Sequence, residues 1–178
     1  MKDNKLISTV IPTFNRKLYL KKAIESCLDQ TINHEIIVCN HGGSDGTDEM
    51  VQQFHGKIKY IKKKTDNGPH YCWLDGVMEA RGEFINLLFD DDWIEPNYIE
   101  ECMKHFDVPK VGFVFTLAKL YNDKHQKVES IQHNDYLFKV SFQIEDNIHS
   151  QSQLIQTKLL ERWEQIPKSF RHMNRLIF

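Results

Sequence analysis

The chain has 178 residues, 40% hydrophobic and 27% charged, which is the composition of a globular domain able to bury a core without disulfide or metal staples. Its 23 basic and 25 acidic residues leave a net charge of −2, giving no sign of a nucleic-acid partner. The N-terminal apolar run is too short for a signal peptide, no segment approaches membrane-spanning length, and the four cysteines (Cys27, Cys39, Cys72, Cys102) show neither C-x-x-C nor zinc spacing. The expectation is a cytoplasmic chain with reduced core thiols, for which peripheral membrane contact stays open.

The first half alternates strand and helix signals. LISTVIP (6–12) is a β-branched run stopped by Pro12, as in a buried strand. Leu20, Ala23, Ile24, Cys27 and Leu28 then recur at helical spacing. EIIVCN (35–40) is a second buried strand, and the turn HGGSDGT leads into a helix that Asp45 or Thr47 can cap, with Asp48 and Glu49 in its first turn. KIKYIK (57–62) alternates like a strand nearer an edge. TDNGP (65–69) is loop, and Leu74, Val77 and Met78 mark a helix closing near Gly82. FINLLF (84–89) is the fourth strand. Pro96 suits a first helical position, and Ile99, Cys102, Met103 and Phe106 give that helix its buried face.

The second half carries weaker signals. VGFVFTLAKLYN (111–122) reads as one strand turning near NDKHQ into another at Val128 to Ile131, DYLFKVSFQI (135–144) as a third, and QSQLIQTKLLERW (151–163) as a helix. The rhythm predicts an α/β fold with a mostly parallel central sheet flanked by helices on both faces. With no Pro/Gly-rich linker, residues 1–178 are expected to form a single domain, with 1–97 a ligand-binding half and 98–178 facing a second substrate.

Ligands of such sheets bind beyond the carboxyl ends of the strands. Three segments meet there: Thr13 to Arg16, Asn40 to Thr47, and Asp90 to Asp92. Adjacent carboxylates repel, and a strand-end pair offers hard oxygens to Mg²⁺ or Mn²⁺, with phosphates completing the coordination. Taken alone, an acidic turn reads first as a solvated helix cap. Its place after a six-residue apolar run, beside two other site-like loops, favours the ligand. Gly42, Gly43 and Gly46 allow a tight turn into a helix N-terminus, which favours anions. The nine histidines lack zinc spacing; His70 and His41 border the site, and His149 reads first as a loop residue. Trp73 and Trp163 fall at helical positions typical of core, leaving Trp93, beside the Asp run, as a surface for stacking on a ligand.

STVIPTFNR, then IIVCNHGGSDGT, then DNGPHYCWLDGVMEARGEFINLLFDDDW resemble the family 2 glycosyltransferases of the GT-A fold, over about residues 6–97. The resemblance implies a metal-dependent inverting transfer from a nucleotide diphosphate sugar, UDP-linked by default, to a carbohydrate or lipid-linked acceptor, in a setting such as surface polysaccharide synthesis. It assigns Pro12, Thr13, Asn15, Arg16, Asn40, His41, Asp66, Gly68, Arg81, Asp90 and Asp91 to the nucleotide, and Asp92 with Asp90 to Mn²⁺ or Mg²⁺. Two departures stand out. Asn40 stands where the family has Asp and His41 where Asp or Gly is usual, and an amide accepts a base N–H without the strengthening charge. The family's downstream catalytic acid has no counterpart after Glu164, where Met173 and Asn174 stand instead, so Glu145 and Asp146 are the remaining candidates and the chain reads as a shortened member. The alternative is a degenerate nucleotide-sugar-binding domain acting as a partner or regulator.

Overall fold

The computed structural model describes residues 7–66, 68–106, 113–114, 116, 119–122, 127–130 and 175–177. The chain divides into two compact units, residues 1–114 with 166–178, and residues 115–165. In the first unit, β1 (Ile7–Thr13), β2 (Glu35–His41), β3 (Lys59–Lys63), β4 (Phe84–Leu87), β5 (Phe113–Val114) and β8 (Arg175–Ile177) form one parallel sheet, in the order β3-β2-β1-β4-β8-β5. In the second, β6 (Lys119–Asn122) and β7 (Lys127–Ser130) pair antiparallel, with Asn122 opposite Lys127.

Alternation along the strands sorts the core into two faces. Ile11, Ile36 and Val38 point toward α1 (Lys17–Leu28) and α2 (Thr47–Val51), meeting Leu20, Ala23, Ile24, Cys27, Met50 and Val51. Further along the sheet, Ile7 and Phe84 meet Ile99, Cys102 and Phe106 at α4 (Tyr98–His105). Val10, Ile37, Cys39 and Ile85 point to the opposite face, against Cys72 and Val77 of α3 (Pro69–Met78). The expected α/β architecture with helices on both faces is therefore present. All four cysteines are free and buried, and burial pushes the Cys27 thiol up to about 12.

The closest helix–sheet contact depends on Gly76. A Cβ there would lie 2.3 Å from Val10 Cγ1 and 2.8 Å from Cys39 Sγ. Alanine adds helix propensity of about 1 kcal/mol, yet forcing α3 off β1 and β2 costs about 1–3 kcal/mol. Gly76→Ala is therefore expected to be a net loss in urea unfolding; a gain in stability would mean that α3 lifts freely.

Several boundaries differ from the expected ones. The strand from Phe84 ends at Leu87; the Leu88 N–H still reaches Val10 O at 3.1 Å, but Phe89 turns outward and is exposed. Pro96 precedes the N-cap Asn97 and Tyr98 opens α4, because the Pro96 carbonyl accepts the Thr31 N–H at 2.8 Å in a loop contact. In α3 the buried face runs through Cys72, Trp73, Gly76 and Val77, and Met78 is exposed. The supposed single strand 111–122 is two, β5 and β6, which belong to different units. An unbroken apolar pattern carries no mark of where the pairing partner changes. The segments 135–144 and 151–163 lie outside the described residues.

Candidate active site

The winding of the sheet locates the site. From β1 the chain steps outward to β2 and β3, then returns to place β4 on the other side of β1. In sheets of this kind ligands bind beyond the carboxyl ends where the winding reverses, which here is between β1 and β4. Thr13, the last residue of β1, donates Oγ1–H to Asp90 Oδ2 at 2.8 Å across this gap. Arg16 Nη1 lies 2.6 Å from Asp91 Oδ2 and 3.4 Å from Asp90 Oδ1.

This edge has unbalanced electrostatics. Asp90 is 6% exposed, and burial raises its carboxyl above the usual range, against the Thr13 bond and the Arg16 charge. Asp92 is raised by desolvation and then by the charges of Asp91 and Asp90. Among the described residues the Asp92 carboxylate has no hydrogen bond or ion pair. The charge of Asp90 in turn leads the upward shift of Arg16. One guanidinium thus pairs with two of the three adjacent carboxylates, and a further cation would relieve the charge left on Asp92. Among the described residues no three His, Cys, Asp or Glu side chains converge to hold an ion. The donor set therefore fits an ion held by one or two hard carboxylate oxygens, with a substrate's phosphates supplying the rest.

The loop after β1 is fixed by polar contacts from the neighbouring turn. Asn15 adopts φ 55°, a left-handed conformation that asparagine tolerates, and its Oδ1 accepts the Ser44 N–H at 2.7 Å. Asp45 accepts the Lys17 N–H opening α1 at 2.8 Å, and both the N–H and hydroxyl of Thr47 opening α2. These bonds outweigh burial and hold Asp45 below its ordinary range. The N-cap position of α2 is nonetheless Gly46, in the left-handed region, rather than Asp45 or Thr47.

Asn40 and His41 end β2 but are bound internally. Asn40 is 0% exposed; its Oδ1 accepts the Gly43 N–H at 3.1 Å and its Nδ2 donates to Tyr60 Oη at 2.8 Å. Tyr60 passes its proton bond on to Asp48 Oδ1 at 2.5 Å, and Lys62 pairs with the same carboxylate. Only glycine fits at 43, since a Cβ would lie 2.5 Å from Asn40 Oδ1. His41 is buried with Nε2 3.0 Å from Asp75 Oδ2, which also pairs with Lys63 at 3.1 Å. Asp66 accepts the Gly68 N–H at 2.7 Å, and the Asp66 backbone would lie only 3.0 Å from a Cβ on Gly42, so these two loops adjoin.

Arg81 departs from its expected place. Its Nε donates to Glu35 Oε1 at 2.8 Å and its N–H to Glu35 Oε2 at 2.9 Å, while Ser8 Oγ donates to the same carboxylate at 2.6 Å. Glu35 opens β2 and Ser8 stands near the start of β1, so Arg81 belongs to the amino edge of the sheet, opposite the Asp run. Its role there is to tie strand starts together. Glu145, Asp146 and His149 lie outside the described residues. Sequence reasoning missed Tyr60, Asp48 and Asp75 as partners of Asn40 and His41, since only the pairing of β3 with β2 and the packing of α2 and α3 on the sheet bring them together.

A family model described as Glycosyl transferase family 2 matches residues 8–172. The chain belongs to this family. It is 32% identical over 119 residues to a chondroitin synthase of Pasteurella multocida, covering 65% of this chain and 12% of that protein. It is 38% identical over 91 residues to a GalNAc(5)-diNAcBac-PP-undecaprenol beta-1,3-glucosyltransferase of Campylobacter jejuni, covering 48% of this chain and 29% of the relative. The family 2 chain thus spans less than a third of the length of either relative. In fold it matches the GT-A glycosyltransferases. S. aureus TarS 1-349 in complex with UDP superposes with a TM-score of 0.59 at 21% identity, over 64% of this chain and 36% of that one. A mannosyltransferase, PcManGT from Pyrobaculum calidifontis in complex with GDP-Man and Mn²⁺, gives 0.60 at 16% identity, over 70% and 38%.

Proposed function

We propose that this chain is the donor-binding part of a metal-dependent, inverting family 2 glycosyltransferase that moves a sugar from a nucleotide diphosphate, UDP by default, to a carbohydrate or lipid-linked hydroxyl. The observation that carries this reading is the joining of Asp90 and Asp91 to Thr13 and Arg16 at the β1–β4 switch point. Asp92, with Asp90, would hold Mn²⁺ or Mg²⁺. When bound, the ion supplies neutralisation of charge developing on the leaving diphosphate. Arg16 adds a second positive charge at the same edge, and Thr13 keeps Asp90 oriented through a buried hydrogen bond. The acceptor hydroxyl attacks the anomeric carbon from the face opposite the diphosphate, which inverts that centre, and its proton passes to a general base, for which Glu145 and Asp146 are the candidates in this chain.

One observation favours the alternative, a binding domain without transfer: the amide of Asn40 is already satisfied on both sides by Gly43 and Tyr60. Calorimetric titration with UDP, GDP and dTDP, in Mn²⁺ and again in EDTA, tests the donor half. Binding of one nucleotide that is lost in EDTA supports the proposal and names the base. Failure of all three removes it. Nucleotide binding without sugar transfer to any acceptor selects the binding-domain reading.

A further inference from the structure

Trp73, in the second turn of α3, is 4% exposed, and its indole Nε1 is buried without a hydrogen-bond partner among the described residues. A buried donor left unpaired costs free energy that phenylalanine in the same slot would avoid, and most such groups in folded proteins are paired. No described residue supplies an acceptor for this N–H. The surroundings of Trp73 indicate its source. The indole meets the ring of Phe89 edge-on, with centroids 5.0 Å apart and planes at 68°. Phe89 immediately precedes Asp90 and is 45% exposed, so the indole touches an exposed side chain at the start of the acidic run. The adjacent Cys72 donates Sγ–H to Cys39 O at 2.9 Å, which pins this turn of α3 to β2 one residue before Asn40. Helical side chains lean toward the helix N-terminus, and α3 begins just after β3, whose last residue pairs with His41 at the carboxyl edge.

We infer that Trp73 donates its indole N–H to an oxygen of the bound nucleotide's diphosphate, with Phe89 as the side chain that yields on entry. The inference rests on the proposed donor-binding function and adds a ligand contact that the acidic run does not supply. The helix N-terminus beneath it favours the same negative charge.

Trp73→Phe keeps the aromatic body and removes the donor. The full chain and this variant are titrated with UDP and with GDP in Mn²⁺, and their melting temperatures compared. The expected result is about tenfold weaker binding of each nucleotide that the wild type binds, the loss of one hydrogen bond to a charged group. The melting temperature should be equal or higher, because an unpaired donor has gone. Unchanged affinity overturns the inference, and unchanged affinity with a lower melting temperature assigns the acceptor to the chain itself. If both nucleotides bind, a loss confined to one overturns the diphosphate assignment in favour of a base carbonyl. A wild type that binds none of UDP, GDP and dTDP removes the proposed function and this inference with it, whereas binding by the wild type with an unaltered variant removes only the latter. Should the variant fold poorly, Trp93→Phe with Trp163→Phe leaves Trp73 as the single fluorophore. Saturating UDP, or GDP where the wild type binds that instead, should then shift its emission, and no shift overturns the contact.

Discussion

Asp92→Asn is expected to weaken Mn²⁺-dependent nucleotide binding by about a hundredfold or more, since it removes a charged oxygen ligand and even outer-sphere partners of metal sites carry about 10–100-fold. The melting temperature should hold or rise. Desolvation and the charges of Asp91 and Asp90 raise the Asp92 carboxyl, so the folded chain binds that proton more tightly than the unfolded one. At neutral pH its ionised form therefore opposes folding, and a neutral amide relieves that cost. The same sign predicts that ion affinity falls as pH drops through the raised range of Asp92 and Asp90, where protons compete for the oxygens. Calorimetry at pH 5 and pH 7.5, alongside thermal melts, checks both. Unaltered nucleotide binding by the variant would remove the acidic run from the site, and a sharp loss of stability would recast Asp92 as structural.

Asn40→Asp is expected to destabilise the chain by about 2–4 kcal/mol at neutral pH, the scale of an uncompensated buried charge. Family resemblance alone points the other way, toward a restored acidic contact with the base. The structure decides against restoration because residue 40 is 0% exposed and its amide donates to Tyr60, whose own proton goes to Asp48 at 2.5 Å. A carboxylate at 40 has no proton to give and would compete with Asp48 for the single hydroxyl proton of Tyr60. Burial and the nearby Asp48 charge would raise its pKa, so the penalty is fully present at high pH and shrinks as pH falls through that raised value. Urea unfolding at pH 8 and pH 5 should show the larger loss at pH 8. Equal stability at both would mean that the Tyr60 hydroxyl and the turn at Gly43 reorganise around the charge. No gain in uridine over guanosine selectivity is expected, since the side chain is occupied by Gly43 and Tyr60.

Continuous apolar runs placed β1 and β2, helical spacing placed α1 and alternation placed the edge strand β3, because each of these signals is visible without a distant partner. The positions of Thr13 and Asn40 at the ends of their strands followed from the same patterns, whereas Asp90 lies three residues past the end of β4. Other features had no local signature. The three residues of β8 were too short to register as a strand, yet they pair with both β4 and β5. Arg81 stood a few residues before a strand that leads into the site, and only the direction of β4 showed that it lies at the strand's start.

Composition, repeat and motif order determined the α/β class, the carboxyl-edge location of the site and the acidic run, since these depend on spacing along one chain. Tertiary structure decided which polar groups are already satisfied and which are not: Asn40 and Asp45 are bound, whereas Asp92 and the Trp73 indole are without partners among the described residues. That distinction depends on register and on helix placement across the sheet. Hydrogen bonds join residues far apart in sequence, and no local pattern encodes their distances.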